Sequence, residues 1–259
     1  MPVVNPDKGA AKVQLVPPNP YGYLLVTAEV DPGSVTTDVD AAERVAIPAD
    51  IPSASAARAA LHRALDRPAG VLAALPDVRS VSVFEAVLFA PGSLDRFPAR
   101  GSAGRPARYD TLVMVETGSP ESAAAVNTTP AFAELMATVT GAATYTDALP
   151  VTNAKKIDDV DRDRSGVFLF NFFFADDPQA LLDIWDHTAG WWLDKGRMLN
   201  SELLRPAAAS DYALINNARW DDVKPAADAF RHPSYWEFVL ANIDAQKATA
   251  MPSLYRVVG

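Results

Sequence analysis

Residues 212–238 read YALINNARWDDVKPAADAFRHPSYWEF, and the changes of pattern within that stretch decide the architecture. Up to Trp220 the composition is that of a strand. Alternation there puts Tyr212, Leu214, Asn216, Ala218 and Trp220 on one face, with Asn217 and Arg219 on the other. From about Asp222 the pattern turns helical, and His232-Pro233 marks the start of a further short helix. In that helix Trp236, Val239, Leu240 and Ile243 form one apolar stripe, so Trp236 is expected in the core.

The same alternation of strand and helix extends outward in both directions. Upstream lies VFLFNFFFA (167–175), the most apolar strand of the chain, then a helix over 178–195 and the strand-like MLNSELLRP (198–206). Downstream, SLYRVV (253–258) closes the chain. The first half has strands at 21–30, 78–90 and 109–117, a helix within 53–75 that Pro68 should break or kink, and a helix capped by Ser119 with Pro120 in its first turn. The order expected is β-α-β-β-α-β, twice.

Internal comparison supports a duplication. An offset of 103 places Tyr109 on Tyr212, Ala123-Ala124 on Ala226-Ala227, Pro130 on Pro233 and Glu134 on Glu237, whereas Asp31-Pro32 meets Asp177-Pro178 at an offset of 146. The first half therefore carries 43 extra residues, assigned to two long loops, one of them at 91–107. The resulting division is an irregular proline-rich arm (1–20), a first domain (21–154), a charged linker (155–166) and a second domain (167–259).

Composition narrows the chemistry. The chain has 259 residues and a formal net charge of -9, and it has no cysteine. Thiol chemistry, thiolate zinc and disulfides are excluded, and no cationic surface is available for nucleic acid or anionic lipid. Neither a signal peptide nor a membrane span is legible, so a cytoplasmic protein is expected. Asp159, Asp161 and Asp163 alternate like the opening of a calcium loop, but the glycine falls at Gly166 and the twelfth position is Phe170, so no metal is expected. G-x-S-x-G, Walker and H-E-x-x-H motifs are absent.

The candidate site residues cluster in the second half, which holds all five tryptophans. Asn171 interrupts VFLFNFFFA and Asn216 interrupts the strand before Trp220, and a buried amide is costly unless its polar atoms find partners. An amide beside an indole suits an apolar pocket for an oxygenated aromatic ligand, although Asn216 could equally satisfy a bulge. Trp185 and Trp192 recur at helical spacing and read as core, while Trp191, nearer the stripe's edge, is placed at a pocket mouth. His187 at the stripe's margin is weighed between a solvated histidine and a proton carrier, and His232 between helix capping and a role in the site.

The segment 212–238 resembles the antibiotic-biosynthesis monooxygenase family, through its strand-to-helix passage with asparagine, three residues, then tryptophan. The resemblance covers 167–258 and implies an α+β fold. In it, two tandem ferredoxin-like domains form an α+β barrel within one chain, a covalent pseudo-dimer with a degenerate first half, either monomeric or further assembled as a homo-oligomer. By position it assigns Asn216 and Trp220 to a site where a phenolic substrate is oxidised by O2 without cofactor. The heme-degrading branch has an asparagine where Asn171 stands, but its tryptophan and histidine are replaced by the Ala229-Phe230 stretch and Phe238. That argues against heme, with only His232 nearby to favour it.

Two functions are carried forward. One is a cofactor-independent monooxygenase of a small aromatic or polyketide-like molecule, with Asn216, Trp220, Asn171 and His187 in the chemistry and Tyr212, Trp191 and His232 binding substrate. The other is a non-catalytic binding or scaffold protein, favoured by Ala226, where the quinone-forming branch has an aromatic residue.

Overall fold

The computed structural model describes residues 2–37, 54–90 and 105–258. Most of the 91–107 loop and the polar stretch through Pro48 and Pro52 lie outside them. Among the described residues there are nine strands and six α-helices, and eight of the strands form one closed barrel with helices on its outside. In chain order these are β1 (Gly22–Glu29), β2 (Thr36–Thr37), α1 (Ala56–Ala73), β3 (Val78–Phe89), β4 (Thr111–Thr117), α2 (Pro120–Val126), α3 (Pro130–Ala142) and β5 (Tyr145–Asp158). Then follow β6 (Val167–Ala175), α4 (Pro178–Gly196), β7 (Ser201–Pro206), β8 (Leu214–Trp220), α5 (Val223–Arg231), a π-helical turn (Tyr235–Leu240), α6 (Ala241–Ala245) and β9 (Ala248–Val258).

The barrel order is β3-β4-β1-β5-β7-β8-β6-β9, closed by antiparallel pairing of β9 with β3. The short β2 runs parallel to the end of β3, at Leu88 and Phe89, beyond the reach of β4. The strands of the first half and those of the second follow the same order, and the halves join at two seams, β5–β7 and β3–β9. Closure leaves the barrel itself without a free edge.

Period-two alternation divides the buried side chains into three cores. Tyr23, Phe84, Phe168, Phe170, Phe172 and Ile215 fill the barrel interior. Leu24, Val26, Val113 and Val115 face α1, α2 and α3 on the outside of the first half. Leu169, Phe173, Leu214 and Ala218 face α4 and the last helices on the outside of the second.

The structure corrects several expectations. Helix α1 continues through Pro68, which forgoes one helical hydrogen bond but buries its ring. β5 runs to Asp158, so the first four residues of the expected linker are strand. The remainder carries Arg162 into the barrel end, where it bonds Glu202, Glu116 (3.1 Å) and Asn217 (2.9 Å). Of the expected stripe Val239, Leu240 and Ile243 are buried, but Trp236 is 45% exposed, because the π-helical turn shifts the repeat and buries Tyr235 and Phe238 instead. No group of three or more metal-ligating side chains is found, and no helix is long and apolar enough to cross a membrane, both among the described residues.

The N-terminal arm lies over the second half as a strap. Val4 and Asn5 bond Asn242 and Glu237, and Val13 donates to the Asp186 carbonyl at 3.0 Å. Gly190 of α4 allows this approach, since a Cβ there would lie 2.0 Å from the Ala11 carbonyl oxygen.

Candidate functional site

The site is built on two strands in unbroken register. β6 and β8 pair from Val167 opposite Trp220 to Phe173 opposite Leu214, which sets Asn171 directly across from Asn216. Both amides face the helices, whereas Asn217 turns into the barrel, donates to Leu169 O at 3.1 Å and accepts from Arg162. On its other side Asn171 faces Pro252 of β9, which has no N–H to offer the ladder.

Above the amides, α4 supplies Trp185, Thr188 and Trp192, and the π-helical turn supplies Tyr235 and Val239. Helix α4 starts where Asp177 caps Gln179 N (2.9 Å) and Ala180 N (3.2 Å), and its apolar stripe then lies down on β6 and β8. The space enclosed is about 20 Å³, room for about one water molecule.

Its polar groups are few. Ser201 of β7 donates to Asn216 Oδ1 at 2.7 Å, which fixes that oxygen and leaves Nδ2 as the donor of the amide. Asn171 Oδ1 is buried without a hydrogen-bond partner. Burial pushes the Tyr235 hydroxyl well above the usual tyrosine range, so it stays protonated. An unsatisfied carbonyl oxygen of this kind costs roughly 1–3 kcal/mol, and it is the one lining group that calls for a donor from outside.

The structure brings together only part of the expected set. Asn171 and Asn216 meet in the cavity. Trp220 shares their face but does not line the space, since it packs on Trp192 with ring centroids 6.0 Å apart and donates to Gly196 O at 2.7 Å. Trp191 is fully buried rather than at a mouth, and its Nε1 donates to Ser234 Oγ at 2.8 Å. Ser234 Oγ in turn lies 2.8 Å from His232 Nδ1, so His232 is exposed at the end of α5 in a capping role, outside the cavity.

His187 also falls outside, half-buried on α4, with its pKa lowered by burial and by the nearby Lys12. Tyr212 precedes β8 and turns into the barrel interior instead of joining the Asn216 wall. Sequence reading missed Ser201, Thr188 and Pro252 as site residues. Ser201 stands in a strand-like segment with a polar residue on either side, so alternation alone did not single it out.

No family model matches the sequence, and no curated protein is similar to it. Solved structures are similar in fold. An anthrone oxidase-like protein superimposes with a TM-score of 0.57 at 10% identity, covering 92% of this chain and 91% of that one. A "putative monooxygenase" from Fusobacterium nucleatum subsp. nucleatum gives 0.54 at 7% identity, covering 93% and 94%. At such identities the likeness establishes the α+β barrel, over the length of both chains.

Proposed function

We propose that the chain is a cofactor-independent monooxygenase of a small phenolic substrate held between Asn171 and Asn216. The observation that supports this reading is the pair of facing carboxamides in an aromatic-lined cavity, with Asn171 Oδ1 lacking a partner. Asn171 Oδ1 would accept the substrate's O–H, and Asn216 Nδ2 would donate to a second substrate oxygen and favour its ionised form. In the overall reaction a substrate CH2 becomes C=O, one atom of O2 entering as the carbonyl oxygen and the other leaving as water with the two hydrogens.

The lining does not suit heme, because none of His62, His187 and His232 borders the cavity. A ring needs more room than about 20 Å³, so a substrate would have to displace part of the ceiling, which includes the π-helical turn, an irregularity frequent at functional sites. The repeated strand order fits an origin as two ferredoxin-like repeats, and a chain that closes its own barrel can act as a monomer.

A second reading, ligand binding without turnover, is favoured by one specific feature: no carboxylate or imidazole lines the cavity. Tryptophan fluorescence and oxygen uptake with polycyclic phenols separate the two. Quenching with oxygen uptake that falls at least tenfold in Asn216→Ala, folding retained, is expected for the enzyme. Quenching without uptake selects the binding protein, and an unchanged rate in Asn216→Ala overturns the assignment of the site.

A further inference from the structure

The two ends of the barrel differ, and the end remote from Arg162 has features that the amide site does not use. Tyr109 and Tyr212 meet there hydroxyl to hydroxyl, with ring centroids 6.4 Å apart at 84°. Tyr145 stacks on Tyr109 at 6.0 Å and 14°. These three rings border a cavity of about 520 Å³ that is open to solvent. Burial raises the pKa of Tyr109 and of Tyr212, so both stay neutral, and Tyr145 is the ring whose face takes a cation.

Around the rings the charge is negative. Asp147 and Asp211 border the cavity, and neither has an ion-pair partner among the described residues. The Tyr145 hydroxyl senses both carboxylates, which together with burial raise its pKa. One cation is already in place: the Arg105 guanidinium lies 4.4 Å from the Tyr145 ring centroid and donates to Glu29 Oε2 at 2.6 Å. The chain thus seats its own cation on an aromatic face, with one carboxylate paired and two left over. An anion entering here would meet two uncompensated carboxylates and an arginine already neutralised by Glu29. A cation would meet the Tyr145 ring face and counter-charge.

We infer that this mouth is a binding site for a small organic cation, a protonated or quaternary amine that stacks on Tyr145, takes Asp147 and Asp211 as counter-charges, and competes with Arg105 for the ring. This site is separate from the amide cavity and does not depend on the oxygenase reading.

Calorimetric titration of the full chain with choline, with its neutral isostere 3,3-dimethylbutanol and with benzoate tests the inference. Choline is expected to bind, the other two are not, and 0.5 M salt should weaken the binding, at roughly twice the screening of physiological solution. Asp147→Asn combined with Asp211→Asn should weaken choline about tenfold, and Arg105→Ala should tighten it several-fold by removing the internal competitor. Asp183→Asn with Asp194→Asn removes the same charge from α4 and should change nothing. Equal binding of the neutral isostere, preference for benzoate, indifference to the Asp147/Asp211 exchange, or no heat even in Arg105→Ala would each overturn the site.

Discussion

Val26 and Val113 pair across β1 and β4 in the first half; Asn171 and Asn216 pair across β6 and β8 in the second, at the corresponding place in the same strand order. Around the valines the layer is mostly aliphatic, with Leu24, Leu61, Leu65, Leu135 and Val139, and its polar side chains Glu85, His62 and Thr111 are bonded to one another through His62. Around the asparagines it is aromatic, with Trp185, Trp192 and Tyr235 above an orphaned carbonyl oxygen. Identical topology thus supports an aliphatic layer over a valine pair on one side and an aromatic-lined cavity over an asparagine pair on the other. What distinguishes them is the two residues at the centre of the sheet and the bulk of the helix side chains over them.

If the halves are separable layers on a shared barrel, the greatest damage should come from breaking what joins them. Arg162 is 5% exposed and links Glu116 of the first half to Glu202 and Asn217 of the second. Arg162→Met leaves Glu202 buried and unpaired, a change worth roughly 3–5 kcal/mol. Urea unfolding should show that loss in both halves together, in one transition. Two separated transitions would mean that the halves are stable apart from each other.

Exchanging the central residues sharpens the comparison directly. Val113→Asn places an amide among mainly aliphatic side chains and should destabilise by about 1–3 kcal/mol. Asn171→Val removes the unsatisfied oxygen and should be neutral or stabilising by up to about 1 kcal/mol while abolishing turnover. The opposite signs are the test, read from thermal midpoints of the two variants. A destabilising Asn171→Val would mean that the amide is held by the fold and not kept for a ligand.

Part of this contrast is legible in the sequence. The face of Asn216 follows from period two, and it holds because β6 and β8 pair without a bulge. The same alternation fails at Tyr212 because the strand starts only at Leu214. Trp236 was misplaced for a related reason: the π-helical turn departs from the 3.6-residue repeat by which its stripe was drawn. The fourth strand of the first half, expected from the repeated order, has no legible bounds because Pro150 and the charged Lys155-Lys156 pair obscure β5, which is only partly buried along its length. Arg162 was hidden among alternating aspartates that read as a solvated linker, and nothing local says that one residue of such a run turns inward.

The smallest effect is expected at the other seam. Glu85 of β3 is opposite Arg256 of β9, with Arg256 Nη2 3.0 Å from one carboxylate oxygen and His62 Nδ1 3.3 Å from the other. Burial alone would raise its pKa, but the hydrogen bond to His62 and the charges of Arg256 and Arg58 outweigh it and hold the carboxyl below its ordinary value of 4.5. A carboxyl depressed in the folded state stabilises above its unfolded pKa, and that contribution is lost as pH falls through the folded value. Wild-type stability should therefore decline below about pH 4.5. In Glu85→Gln the acid limb should be shallower and stability at neutral pH slightly lower. Unlike Glu202, Glu85 lies on the outside of the barrel under α1, with its Arg256 partner 36% exposed, so water can compensate for part of what is removed. An acid limb of unchanged steepness in Glu85→Gln would assign the pH dependence to other carboxylates and leave the enclosed Arg162 network as the principal electrostatic tie between the halves.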